Sequence, residues 1–213
     1  DGMEERVERI DLATQETETL LTVAEALEEL PDGLREEFLE DSVAFHFNHP
    51  VYNRDETRFF CKLMRTFPDG RGQFGAFFVV DVADRTIRCL GRKISGHPCW
   101  MPDGRTIVNV TPPHGYGYVR GEGFTSTEDA GNRWLVLVDT DTGEFERLID
   151  PPIEGPGHPD VSPDGQWVVT DAFADNGREA PIYLVHLASR QVREIVRLPH
   201  RFDPADRTAI TRG

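Results

Sequence analysis

The chain has 213 residues, 38% of them hydrophobic and 29% charged, with a formal net charge of −15 at pH 7. That length suits one large β domain or two small ones, and the acidity argues against non-specific binding to nucleic acid or an anionic membrane. No apolar run approaches the roughly 18–20 residues that a membrane helix needs, and no basic-then-apolar leader opens the sequence, which reads as beginning in mid-domain. The three cysteines, Cys61, Cys89 and Cys99, are odd in number and lack CxxC spacing. Cys61 and Cys89 fall inside apolar runs, where a thiol behaves as a small hydrophobe. With no disulfide framework, the composition leans towards a reducing compartment such as the cytoplasm.

In chain order, Glu5 to Leu12 and Glu18 to Val23 read as two strands around the turn Asp11-Leu-Ala-Thr-Gln-Glu. From Glu25 to Asp41, Leu, Ala and Phe recur among many glutamates, which predicts two short amphipathic helices broken at Pro31-Asp-Gly. The expectation is a solvated insert packed on a rim; a partner-binding helix pair is the other reading. A longer unit then appears three times. Each copy opens on His-Pro, and six residues after the His comes the Asp of a tight turn: His49 to Asp55, His97 to Asp103, His158 to Asp164. An apolar run follows, so strand, Asp-Gly-type turn and strand make a β-hairpin. Each copy closes on a second hairpin, turning at Asp81-Val-Ala-Asp-Arg-Thr, Asp139-Thr-Asp-Thr-Gly-Glu and His186-Leu-Ala-Ser-Arg-Gln. Repeats of this length signal a repeat architecture.

Four strands per copy, named a to d, and inner strands such as Ala76-Phe-Phe-Val-Val and Trp134-Leu-Val-Leu-Val that are apolar without alternation, require burial on both sheet faces. Four-stranded antiparallel blades stacked around an axis supply that burial, so the predicted fold is an all-β β-propeller. A β-sandwich would show cleaner alternation. The expected division is 1–24 as a trailing half-blade, 25–44 as the helical insert, and blades over 45–92, 93–152 and 153–200. Residues 201–213 would lead into a further blade. Three and a half blades fall short of a ring of about 4–8, so a fragment whose missing blades close the propeller is expected.

Blade topology gathers the starts of the innermost strands and the b–c loops onto one rim. The longest loop, Thr111 to Asn132, carries His114, Tyr116, Tyr118 and Arg120, and long loops in compact repeats are usually functional or disordered. The other two loops bring Arg65 and Arg71, and Asp171 and Asp175. Together with His46, His49, His97 and His158, these define the candidate site. Converging imidazoles could ligate a divalent metal (Zn, Mn, Fe, Ni or Cu) or place one ring as a general base. The competing role for any one His-Pro histidine is to cap its strand. His186 and His200 read as structural or solvent-facing. Gly115-Tyr-Gly-Tyr-Val-Arg-Gly lacks the strand-to-helix setting of a phosphate cradle, and no GxSxG, HExxH or Walker sequence occurs.

The Pro-Asp-Gly hairpins resemble the PD40 or TolB-like propeller repeat. His46-Phe-Asn-His49-Pro with Thr57-Arg-Phe-Phe, Ser95-Gly-His97-Pro, and Gly157-His158-Pro with Pro163-Asp-Gly and Thr170-Asp171 are further similar to propellers related to oligogalacturonate lyases. That resemblance, over about 45–200, implies seven blades, a divalent metal (manganese first) held in the channel, and β-elimination on an acidic, uronate-containing oligosaccharide. It makes His49, His97 and His158 candidates for metal or substrate contact, with His97 as a catalytic residue. Position on the shared rim, rather than the resemblance, adds Arg120 and Tyr116 as catalytic candidates and His46, Arg65, His114, Tyr118 and Asp171 as substrate contacts, Arg120 or Arg65 meeting the uronate carboxylate. Arg-Asp-Glu replaces Pro-Asp-Gly in the first copy, a departure from the pattern. The alternative function is a non-catalytic TolB-like propeller binding a protein or glycan on its rim; another metal-dependent propeller enzyme, such as a hydrolase, is a third reading.

Overall fold

The computed structural model describes residues 4–40, 44–66, 74–91, 94, 97–111, 118–119, 123–124, 132–149, 153–154, 157–171 and 179–199. Strands β1 (Arg6–Ile10) and β2 (Thr17–Thr22) form a hairpin, followed by helices α1 (Val23–Glu28) and α2 (Asp32–Leu39). Strands β3 (Ala44–Tyr52), β4 (Arg58–Thr66), β5 (Phe74–Asp81) and β6 (Ile87–Gly91) make the first antiparallel blade in sequential order. In the second, β7 (Cys99–Trp100), β8 (Thr106–Thr111), β11 (Asn132–Asp139) and β12 (Phe145–Arg147) lie side by side. A small hairpin of β9 (Tyr118–Val119) and β10 (Gly123–Phe124) sits in the connection between β8 and β11, and β13 (Ile153–Glu154) pairs with the start of β11. The third blade is β14 (Asp160–Val161), β15 (Trp167–Asp171), β16 (Glu179–His186) and β17 (Gln191–Pro199). These are blades of an incomplete β-propeller, as the repeats predict.

Successive residues of each inner strand enter different cores. Phe59, Cys61, Leu63, Phe78 and Val80 pack with the β1–β2 hairpin and the helices. Phe60, Phe77 and Val79 turn the other way and meet Ile107, Val136 and Val138 of the second blade. Val108, Val110 and Leu135 then meet Val168, Tyr183 and Val185 of the third. Phe59, Phe60, Phe77 and Phe78 are fully buried, each contributing about 1.5–3 kcal/mol by burial alone. The opposite face of the third blade exposes Trp167, Val169 and Val196. The counterpart of Val169 in the second blade is Val108, which the third blade covers completely.

The helices depart from the expected solvated insert. Thr22 caps α1, its Oγ1 accepting from the Glu25 N–H at 3.2 Å while the Glu25 carboxylate accepts from the Thr22 N–H at 2.8 Å. Val23, Ala26, Leu30 and Phe38 are then buried against the first blade. A two-stranded hairpin cannot cover a four-stranded face, and the helices complete the cover.

Turn chemistry repeats with the blades. In the a–b turns the residue after the key Asp has positive φ: Glu56 (56°), Gly104 (67°) and Gly165 (69°). Its N–H donates to the carbonyl of Asn53, Met101 and Ser162 respectively, at 2.8–3.0 Å. The first blade thus makes the same turn without glycine, and Asn53 replaces the key Asp as acceptor, taking the N–H groups of Thr57 and Arg58 at 3.0 Å. A left-handed non-glycine residue costs about 1–2 kcal/mol. Gly165→Ala should therefore lower stability by about 1 kcal/mol, since a Cβ there meets only ordinary contacts with Pro102. Glu56→Gly should be neutral or stabilising. Urea midpoints of the two variants check this, and a Glu56→Gly variant less stable than wild type would contradict it.

Candidate functional site

The three His-Pro motifs converge. The rings of His49 and His97 have centroids 4.3 Å apart at 64°, and those of His97 and His158 lie 4.4 Å apart at 23°. Each belongs to the first strand of its blade or the residues leading into it, and these first strands approach one another: β7 contacts β14, and the Trp100 indole N–H donates to the Val51 carbonyl at 2.9 Å. The bulge in β3 between Asn48 and Val51 explains the position of His49. Pro50 has no N–H to give to a ladder, so pairing breaks there. His49 itself takes φ 54°, a left-handed conformation that favours glycine.

The environment of each ring differs. The His158 backbone N–H donates to Asp171 Oδ1 at 2.6 Å, and its Nδ1 lies 3.1 Å from both carboxylate oxygens. Asp171 thereby orients the ring. The Nδ1 of His49 is buried without a hydrogen-bond partner. Burial holds His49 below the usual imidazole range, and the nearby Lys62 and His158 push the same way. Burial likewise lowers His97, reinforced by His49, His158 and Lys62 and partly opposed by Asp171. Neutral imidazoles, able to accept a proton or a metal, are thus favoured at the centre.

Lys62 was not legible as a site residue, although a signal existed. It lies 13 residues after His49, as Asp171 lies 13 after His158, so the two occupy equivalent positions on the second strands. It is the one charged residue within the run Phe59-Phe-Cys-Lys-Leu-Met, and burial depresses its ammonium pKa.

Other candidates fall elsewhere. Arg65 is a correction: β4 runs through it, and the pleat turns it away from the Lys62 face. It is buried at 3% exposure, donates from Nη1 to the Glu40 carbonyl at 3.3 Å and lies over the Phe38 ring. It holds the end of α2 rather than a ligand. His46 sits in β3 opposite Met64, and among the described residues the chain of ring contacts does not extend to it. His114, Tyr116 and Arg120, and the Tyr118 side chain, lie outside the described residues, as do Arg71, Asp175 and His200. His186 contacts Ser189 Oγ at 2.8 Å and the Trp167 ring, a local turn role. The cysteines are free; Cys61 is core, and burial raises Cys99 to about 12. Among the described residues, no group of three or more His, Cys, Asp or Glu side chains is arranged to hold a metal ion, and no helix is long and apolar enough to cross a membrane.

No protein-family model matches the chain, and no curated protein matches it. Solved structures do. TolB from Acinetobacter baumannii superposes with a TM-score of 0.50 at 15% identity, covering 90% of this chain and 37% of that one. An acylaminoacyl peptidase from Pyrococcus horikoshii gives 0.52 at 11% identity, over 74% of this chain and 26% of the other. The β-propeller domain of the Trilobed protease from Pyrococcus furiosus gives 0.49 at 11% identity, over 76% and 45%. The chain thus spans roughly a third and a quarter of the first two. At such identities the likeness concerns the fold, and it agrees with the blades described above.

The lowered imidazoles make stability depend on pH. A proton binds His49 and His97 more readily in the unfolded chain, so their contribution is complete above the ordinary value of 6.5 and is lost as pH falls through the depressed folded values. His97→Gln should flatten the loss of thermal stability between about pH 6.5 and 5; a variant as acid-sensitive as wild type would show that other groups govern it.

Proposed function

We propose that this chain supplies blades to a β-propeller that binds an acidic, uronate-containing oligosaccharide at the histidine-lined mouth of its channel and cleaves it by β-elimination. The observation that carries this reading is the contact of three imidazoles from three blades, with a carboxylate behind one and an ammonium whose charge acts on the other two. The resemblance of the His-Pro motifs to oligogalacturonate lyase-related propellers points the same way. The exposed apolar face of the third blade supports a role as part of a larger ring.

In this reading Lys62 pairs with the uronate carboxylate and acidifies the C5 proton. Neutral His97 takes that proton as general base. The C5–H electron pair forms the C4=C5 double bond while the C4–O bond breaks, and the departing oxygen takes a proton from His158 or water. Asp171 is the positioning residue for His158. A divalent ion, manganese first, remains part of the proposal through the nitrogen donors of His49, His97 and His158. The described side chains as placed do not assemble its ligand set, and no step here is routed through it.

Incubating the full gene product with trigalacturonate, with and without Mn²⁺, and following the ultraviolet absorbance of the unsaturated uronate tests the reading. Activity is expected, with His97→Ala slower by about 10²–10⁴-fold. Binding without turnover would leave the non-catalytic propeller, and absence of both would remove the sugar. Metal analysis of wild type, His97→Ala and His158→Ala checks the ion separately: equal metal content in all three removes those histidines as ligands.

A further inference from the structure

The turn end of the first blade carries an open cleft of about 1030 Å³. The turn of the β1–β2 hairpin forms one wall, and the end of β3 with its a–b turn forms the other through Tyr52 and Glu56. At the next seam the equivalent position is closed. Tyr52 lies three residues after His49, as Trp100 lies three after His97. Trp100 packs across the seam on Phe60, with ring centroids 5.4 Å apart, and donates to the Val51 carbonyl at 2.9 Å. Tyr52 instead packs within its own blade, on Phe59 at 5.6 Å, and lines the cleft. Ile10 and Leu12 line it from the hairpin and stay 55% and 86% exposed. Apolar surface thus faces water where the neighbouring seam is packed.

Four carboxylates and one cation line the same cleft. Arg9 is held by Glu18 at 2.5 Å, and Asp11 accepts the backbone N–H groups of Ala13 and Thr14 at 2.8 and 2.9 Å. That leaves Glu16 and Glu56, both exposed and, among the described residues, in no ion pair. Glu56 holds its carboxylate there from a left-handed residue (φ 56°), where the other two blades have glycine. The first blade therefore keeps a side chain at a position where a side chain is strained.

We infer that this cleft docks a basic segment of a partner protein, its arginines meeting Glu16 and Glu56 and an apolar neighbour covering Ile10 and Leu12. A guanidinium pairs with a carboxylate through two hydrogen bonds and stacks on an aromatic ring such as Tyr52, while its stem covers apolar surface. The exposed apolar walls favour a peptide over a free polyamine, and the net charge of −15 steers a basic partner towards the chain. The cleft does not depend on the acidic-sugar reading, and either can fail without the other.

The test is calorimetric titration of the full gene product with an acetylated, amidated tetrapeptide alternating leucine and arginine. The same peptide with citrulline in place of arginine, and spermine, are run beside it. The variants are Glu16→Gln, alone and with Glu56→Gly, and Glu36→Gln at an exposed position of α2. The arginine peptide should bind wild type and Glu36→Gln equally, Glu16→Gln about threefold more weakly and the double variant roughly tenfold more weakly. The double variant should also unfold at the wild-type urea midpoint or above, so that the loss is of binding and not of fold. Absence of binding to wild type would overturn the proposal. So would equal affinity for the citrulline peptide or spermine, or equal weakening by Glu36→Gln, since the attraction would then lie in apolar contact or overall charge rather than in this cleft.

Discussion

Burial on both faces of the middle strands is the constraint from which the rest follows. An isolated four-stranded sheet with Phe59, Phe60, Phe77 and Phe78 in adjacent positions would expose one apolar face whichever way it lay. Packing blade on blade removes both faces from water, and the pleat distributes alternate residues between the two seams. This fixes the lateral order of the sheets. It leaves their relative height along the axis open, because apolar contact is not directional.

Polar links set that height. Asn53 Nδ2 donates to the Gly104 carbonyl at 2.9 Å, joining the a–b turns of the first two blades. Arg58 spans the same seam, reaching Asp81 of its own blade at 2.7 Å and Asp141 of the second at 2.8 Å from a position only one-fifth exposed, and Arg105 holds Asp141 from within the second blade at 3.1 Å. Nearer the axis, the Trp100 indole takes the carbonyl of Val51 beside the bulge. Each bond has a direction, so together they hold the blades in one register, and that register brings His49 within ring contact of His97. Arg190 ties the third blade to Glu146 of the second in a similar way. The turn end of the seam therefore positions the site at the other end, without touching it.

The hairpins were legible because their determinants are local. The His-Pro openings, the Asp of each a–b turn and the positive-φ residue after it all lie within about ten residues of one another. The meeting of the three histidines was legible too, as a consequence of repetition. What failed depended on pleat phase or on long-range cover. Arg65 was placed by its nearness to a loop, yet β4 extends through Thr66, and Leu63 and Arg65 share the face opposite Lys62. Counting alternation from buried Phe60 would have separated them. The helices were read as solvated because their glutamates are many; that a two-stranded hairpin leaves a face to be covered is a fact about the neighbouring blade.

Strain and unmet polarity coincide in this structure, which bears on what the histidine cluster is for. A strand cap would be satisfied by its cap, as His158 is by Asp171. His49 is different: it occupies a left-handed conformation at a bulge, its Nδ1 is buried and unpaired, and a lysine beside it opposes protonation. None of these stabilises the fold, and each has a cost of its own. They are tolerated because the seams on either side over-determine the backbone. Under the proposed function, a neutral imidazole under the influence of a nearby cation would serve the uptake of an acidic ligand and the removal of a proton from it.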